Sequence, residues 1–262
     1  MTGVKDTARA ADLPLVRRLE AVGFRAWPAA SVIYDGSWQI RLNGGYHSKR
    51  LNCIVPLDPS DTRDMALRLE KAGRKFAAHG RAALVRETPL TAPLLLDLMA
   101  ERGWERFESV SVLTRDLVSP PLPETMDHLP SQDIGRFADA YLTLSGEDAS
   151  MKPGLAEVVA AIKPPSGLFV VEDQSEGPIA TVLCVQDNDL AGIVSLCVKT
   201  AARRQGRGTE ILSAALRWAR LRGARTGWLQ VESSNQPALA LYNKLGFQEA
   251  YRYHYWRPGS GE

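Results

Sequence analysis

Residues 193–208 read IVSLCVKTAARRQGRG, and the order of residue types in this stretch decides how the rest of the chain is read. Ile193, Val194, Leu196, Cys197 and Val198 form a nearly unbroken apolar run of strand formers, the pattern of a strand buried on both faces. Arg203, Gly206 and Gly208 come next. Ile211, Leu212, Ala215, Leu216 and Ala219 then recur at helical spacing up to Gly223, which fits a C-terminal cap. The glycines therefore fall where a central strand turns into a helix. The first helical turn carries unpaired backbone N–H groups and partial positive charge, so it can hold a phosphate, and glycine lets that phosphate come close. Arg203, Arg204 and Arg207 add positive charge at the same place, which suits a pyrophosphate. Neither the G-x-G-x-x-G of a dinucleotide-binding turn nor the G-K-[ST] of a P-loop is present. A surface turn with solvated arginines is the alternative that this stretch alone leaves open.

A second stretch, NQPALALYNKLGF at 235–247, follows the strand-like run 228–232. Pro237 fits the first turn of a helix, Leu241 and Leu245 share a face, and Gly246 fits the C-terminal cap. Together the two stretches resemble the GNAT acetyltransferase superfamily, whose signature [QR]-x-x-G-x-[GA] is met by Arg203, Gly206 and Gly208. The resemblance extends from about Pro123 onward. It implies acetyl-CoA as acyl donor, held by the backbone of Leu196, Cys197 and Val198 and by the turn formed of Arg203, Arg204, Gln205, Gly206, Arg207, Gly208 and Thr209. It further implies that Asn235 bonds the pantetheine arm and that Tyr242 protonates the departing thiolate.

Composition sets the outer bounds. A chain of 262 residues suffices for two modest domains, each with a core. With 32 Lys and Arg against 30 Asp and Glu, there is no global field to draw it to nucleic acid or anionic lipid. Cys53, Cys184 and Cys197 are widely spaced in apolar runs with no metal-ligand spacing, so core packing in a reducing compartment is expected, and no metal. No apolar run approaches the length of a membrane span, and a cytoplasmic protein, monomeric or homodimeric, is expected.

Along the chain, the first half gives a helix near 13–22 ending at Gly23, and strands at 31–34, 38–42 and 51–57. A helix capped by Ser60 or Asp61 comes next, then a strand at 82–86, a helix opened by Thr88 or Thr91, and a strand at 107–114. The second half gives helices within 127–144 and 155–162, and strands at 168–172, 178–185 and 190–198. Both halves end alike: MAERGWERFESVSVLTR at 99–115 and LYNKLGFQEAYRYHYWR at 241–257 are each helix, glycine stop and terminal strand. Aligning Gly103 with Gly246 sets Met99 where Tyr242 stands. The strand at 51–57 leads into its helix through DPSD, acidic and without glycine, which would repel a pyrophosphate. The reading is therefore an α+β chain of two tandem GNAT-like domains, each a mixed, mostly antiparallel sheet flanked by helices. Residues 1–118 form a degenerate copy, 119–123 a stiff proline linker and 124–262 the catalytic domain. An unrelated α+β domain is the alternative for the first part.

For mechanism, the resemblance implies direct attack of an acceptor amine on the thioester, without an acyl-cysteine, beside a splayed central strand. The ammonium must first lose a proton, since its pKa is about 10. Gly192 and Ser195 stand where some relatives carry a glutamate, so Glu232 at the end of the following strand is the candidate base, with water relay as the alternative. His254 is expected to be a satisfied polar residue in an alternating strand. Glu147 lies in the loop between the two early helices, which the resemblance implies lines the acceptor pocket, and a polar cluster around Gly44–Gly45 supplies Arg41 and Arg50 as candidate acceptor residues, favouring an acceptor that bears an anion. The acceptor is a small molecule or a peptide. A non-catalytic acyl-CoA sensor or scaffold is the second reading of the chain as a whole.

Overall fold

The computed structural model describes residues 11–259. In chain order the first half contains α1 (Leu13–Ala26), β1 (Ser31–Asp35), β2 (Trp38–Leu42), β3 (Cys53–Pro56), α2 (Met65–Ala77), β4 (Val85–Glu87), α3 (Pro93–Glu101) and β5 (Glu105–Asp116). The second contains α4 (Ile134–Ser145), α5 (Lys152–Ala160), β6 (Ser166–Asp173), β7 (Gly177–Asp187), β8 (Leu190–Val198), α6 (Arg207–Leu221), β9 (Thr226–Glu232), α7 (Gln236–Lys244) and β10 (Gln248–Arg257).

All ten strands join one sheet in the order β1-β2-β3-β4-β10-β5-β9-β8-β7-β6. Exchanging the two halves, strand for strand, leaves this order unchanged, so the sheet has the symmetry of a repeat. The two sheets expected from the sequence are joined at their centre because the terminal strands have traded places. β10 lies between β4 and β5, and β5 pairs antiparallel with β9 from Val110↔Glu232 to Asp116↔Thr226. Each half thus supplies the strand that completes the other, and neither has a sheet of its own.

Strand alternation explains the layers. Along β7, Leu183 and Val185 enter one core while Val182 and Cys184 enter another, as expected of a strand buried on both faces. One face of the sheet carries α1, α4 and α5 over a core shared by both halves. The other face carries two separate cores, α6 with α7 over the second half and α2 with α3 over the first. A buried ion pair between Arg86 and Glu20, with Tyr251 Oη donating to Glu20 Oε1 at 2.6 Å, ties β10 to the first half.

Several local expectations are corrected. α1 does not stop at Gly23 but runs to Ala26. Neither Ser60 nor Asp61 caps α2, which begins only at Met65. Asp61 instead accepts from the Ser37 backbone N–H and hydroxyl and pairs with Arg68, contacts that hold its carboxyl down to about 2. α3 starts after Ala92, because Thr88 and Thr91 bond to each other's turn. No described helix is long and apolar enough to cross a membrane.

Candidate active site

The site begins where β8 leaves its neighbour. β8 and β9 run parallel with partners from Leu190↔Thr226 to Ile193↔Leu229, and beyond Ile193 the register ends. On the other side, Leu183 pairs with Val194 and Thr181 with Cys197, so β8 spends one residue more than β7 across this interval. Ser195 takes up the distortion with φ 53°, and its carbonyl accepts from Thr181 Oγ1 at 3.3 Å. A bulge of this kind bends a strand and re-aims its backbone groups. Residues 194–198 are therefore splayed from β9, and the edge facing β9 is open to a ligand.

The turn after β8 leads straight to the helix start. Gly206 is the N-cap of α6 with φ 82°, and Arg204 precedes it with φ 62°. A Cβ at 206 would touch nothing within 4 Å, whereas one at Gly208 would lie 3.1 Å from Leu241 and 3.6 Å from Val198. Gly206 thus serves its backbone angle and Gly208 a close approach of helix, strand and α7. Two side chains of the turn fold inward: Arg203 Nε donates to the Val198 carbonyl at 3.2 Å, and Gln205 Nε2 to that of Ala201 at 3.0 Å. Arg207 pairs with Glu210, which also meets His128 at 2.6 Å. The backbone N–H groups of Arg207, Gly208 and Thr209 remain at the head of the helix, as an anion site requires. The residues present thus fit the pyrophosphate end of acetyl-CoA, and the open β8 edge fits a pantetheine arm.

Beside the splay lies a cavity of about 580 Å³, lined by both halves of the chain. The second half contributes Ser195, Leu196, Glu232, Asn235 and Tyr242. Asn235 is the N-cap of α7, its Oδ1 accepting from the Ala238 N–H at 3.2 Å, which leaves its amide NH₂ as a donor. Tyr242 is 7% exposed, packs edge-on against Phe247, and its hydroxyl has no hydrogen-bond partner among the described residues. Burial pushes its hydroxyl up to about 12, so it stays protonated at neutral pH. The exposed Glu232 ends β9 at the cavity wall. Burial raises the Cys197 thiol, which disfavours a thiolate there.

From the first half come Tyr46, Lys49, Arg50 and Glu108. Tyr46 Oη donates to Glu147 Oε2 at 2.8 Å and Tyr141 Oη to its Oε1 at 3.3 Å, so a loop carboxylate of the second half is gripped by tyrosines of both. Burial first, and then the Glu147 charge, push Tyr141 up to about 12. Lys49 pairs with Glu108.

Of the acceptor residues expected from sequence, Glu147 and Arg50 line the cavity and Arg41 does not. Arg41 is 2% exposed and donates to the carbonyls of Arg50 and Trp27 and to Gln39 Oε1, so it is a buried support behind the wall. β2 is buried at every position, which removes the alternation that would have warned of this. His254 lies outside the cavity, bonded to Arg106 at 2.6 Å. The sequence reading missed Trp27, Tyr253 and Tyr255, which line the cavity across the exchanged strands. The period-2 repeat of tyrosines in β10 was visible, but not the half of the chain it serves.

The family described as "Probable histone acetyltransferase Rv0428c C-terminal" matches residues 14–256. The uncharacterized N-acetyltransferase YobR of Bacillus subtilis (strain 168) is 23% identical over 249 residues, 92% of this chain and 97% of that protein. The ribosomal protein bS18-alanine N-acetyltransferase of Escherichia coli (strain K12) is 40% identical over 62 residues, which span 24% of this chain and 42% of that one. Among solved structures, a GCN5-related N-acetyltransferase from Kribbella flavida superposes with a TM-score of 0.67 at 16% identity, covering 97% of this chain and 98% of that one. A tandem GNAT protein from the clavulanic acid biosynthesis pathway gives 0.62 at 14% identity, covering 98% and 92%.

Proposed function

The chain belongs to the GNAT N-acetyltransferase superfamily, in the family of the Rv0428c C-terminal region, and on that premise we propose that it moves the acetyl group of acetyl-CoA directly to a primary amine. The observation that carries the proposal is one cavity lined by the open edge of β8 and by Tyr242, whose hydroxyl has no partner among the described residues, with a glycine-led helix start following the same strand. Acetyl-CoA supplies an activated acyl group as its thioester.

In this reading the first turn of α6 takes the pyrophosphate, and the splayed residues 194–198 take the pantetheine arm by strand-like bonds, aided by the Asn235 amide. Holding the thioester beside the amine supplies much of the rate, because orientation replaces a bimolecular encounter. Glu232, without a hydrogen bond to its carboxylate among the described residues, accepts the ammonium proton, directly or through water. The amine nitrogen then forms its bond to the carbonyl carbon and releases its surplus proton to solvent, the carbon–sulfur bond breaks, and Tyr242 gives its proton to the leaving sulfur. Solvent restores the Tyr242 proton, and the product is an amide.

The first half is read as a degenerate copy of the fold that holds no cofactor and builds the acceptor side. The symmetric strand order and the buried Met99 at the position matching Tyr242 support it. An amine-dependent thiol-release assay across a broad amine panel, with mass-spectrometric detection of the product, tests the function. Turnover with one amine class is expected. Tight binding of acetyl-CoA without turnover of any amine would favour the sensor or scaffold reading.

A further inference from the structure

Among the described residues, the first half places one cation in the cavity that nothing else neutralises. The Arg50 guanidinium is half-buried and, among the described residues, makes no ion pair and no side-chain hydrogen bond. It lies over the face of Trp27, 5.8 Å from the ring centroid. Its neighbour in sequence, Lys49, is different: that charge is already taken by Glu108. A half-buried guanidinium whose five donors meet no protein acceptor is free to bind a carboxylate or phosphate by two parallel bonds.

The ground behind Arg50 is also positive. Arg41 donates through Nε to the Arg50 carbonyl at 3.0 Å, and its other acceptors, the Trp27 carbonyl and Gln39 Oε1, are neutral. A buried guanidinium satisfied only by neutral acceptors keeps its full field, and in a poorly solvated wall that field reaches the cavity. Arg86, which lines the same small gap as Arg41 and Arg50, is balanced by Glu20. The free carboxylates of the cavity come from the second half instead. Glu232 ends β9, and Glu147 accepts only from tyrosine hydroxyls. The two ends of the cavity's chemistry are thus divided between the halves of the chain.

We propose that the acceptor is a primary amine that also carries a separate anionic group, a carboxylate or a phosphate, and that Arg50 anchors this group while the amine lies toward Glu232 and the β8 edge. The assignment rests on the acetyltransferase reading for its amine and on Arg50 alone for its anion. It explains why Arg41 is kept buried without a carboxylate: it backs the anchor and holds the Arg50 backbone in place.

The test compares matched amines: one bearing a carboxylate, the same compound with that carboxylate amidated, and one bearing a phosphate ester. With the intact chain and saturating acetyl-CoA, the anionic amines are expected to exceed the amide in kcat/KM by about 10-fold or more, the worth of one charge-assisted pair. Which anionic arm is stronger identifies the source of the anion. In Arg50→Ala the anionic amines fall to the level of the amide through KM, while acetyl-CoA affinity, read by calorimetry, shows that the variant is folded. Arg50→Lys recovers part of the difference, because it keeps the charge and loses the fork. Equal use of all arms by the unaltered chain, or an equal loss on all arms in Arg50→Ala, overturns the proposal. Calorimetric binding of the same amines in the presence of CoA separates the two readings. Arg50-dependent binding without turnover keeps the anchor and removes the transferase, and binding that ignores Arg50 removes the anchor.

Discussion

Two helices of this molecule begin on a residue in the left-handed backbone region, and their chemistry is opposed. α6 begins after Gly206, with φ 82° and ψ −9°, and α2 begins after Asp64, with φ 47° and ψ 31°. Asp64 makes no capping hydrogen bond through its side chain, and it sets a negative charge at the N-cap position where α6 has a glycine. The surroundings follow suit. At α6 the turn carries Arg203, Arg204 and Arg207, whereas the cleft between α2 and α3, of about 530 Å³, is lined by Asp64, Asp97 and Glu101 beside Leu67 and Leu94. The same strand–helix–strand unit, used twice, carries basic side chains at one helix head and acidic ones at the other. The fold fixes where a helix head points, and the side chains gathered around it decide what it can hold.

The largest effect that can break this comparison comes from cutting the chain. Expressed alone, residues 124–262 lack β4 and β5, so β10 loses both neighbours and β9 loses one. The expected result is a fragment with no cooperative thermal transition and no acetyl-CoA binding. A folded fragment that binds acetyl-CoA would show that the exchanged strands are dispensable. Next in size is Tyr242→Phe, for which kcat is expected to fall about 100-fold at unchanged acetyl-CoA affinity, the usual worth of a general acid. The missing hydroxyl has no partner in the described structure, so thermal stability should hold, and a full-rate variant would end the acid assignment. Smallest is Asp64→Gly. Removing the charge leaves Asp97, Glu101 and the buried Met99 in place, so calorimetry should find no new acetyl-CoA site, and the change in stability should be a few tenths of a kcal/mol.

The sequence carried most of the second half because its signals are local. The strand at 190–198 and the helix after Gly206 follow from residue types within a few positions, and Tyr242 and Asn235 lie at a fixed distance from a glycine stop. The repeat was legible for the same reason, through the matched helix, stop and strand at both ends. The strand exchange was not, since β5 and β10 have the same alternation whichever neighbours they take. That hidden step also decides the cavity, because residues from Trp27 to Tyr255 meet there only once the halves interlock. Arg41 was misjudged for a related reason. A strand in the middle of one sheet can bury a guanidinium on backbone carbonyls, and a sequence shows the charge without the acceptors.

The central claim is that acetyl-CoA binds once per chain, at the head of α6. Calorimetric titration of the intact chain and of Gly206→Asp tests it most directly. A Cβ at position 206 meets no atom within 4 Å, so aspartate adds the charge found at Asp64 without a clash, and Gly206→Asn, which shares the backbone cost of a side chain at φ 82° but is neutral, is the control. Repulsion between that carboxylate and a pyrophosphate is worth a few kcal/mol, or about a 100-fold loss of affinity or more. One site in the intact chain and a loss of that order in the variant are expected. Two sites in the intact chain, or undiminished binding in Gly206→Asp, would contradict the claim.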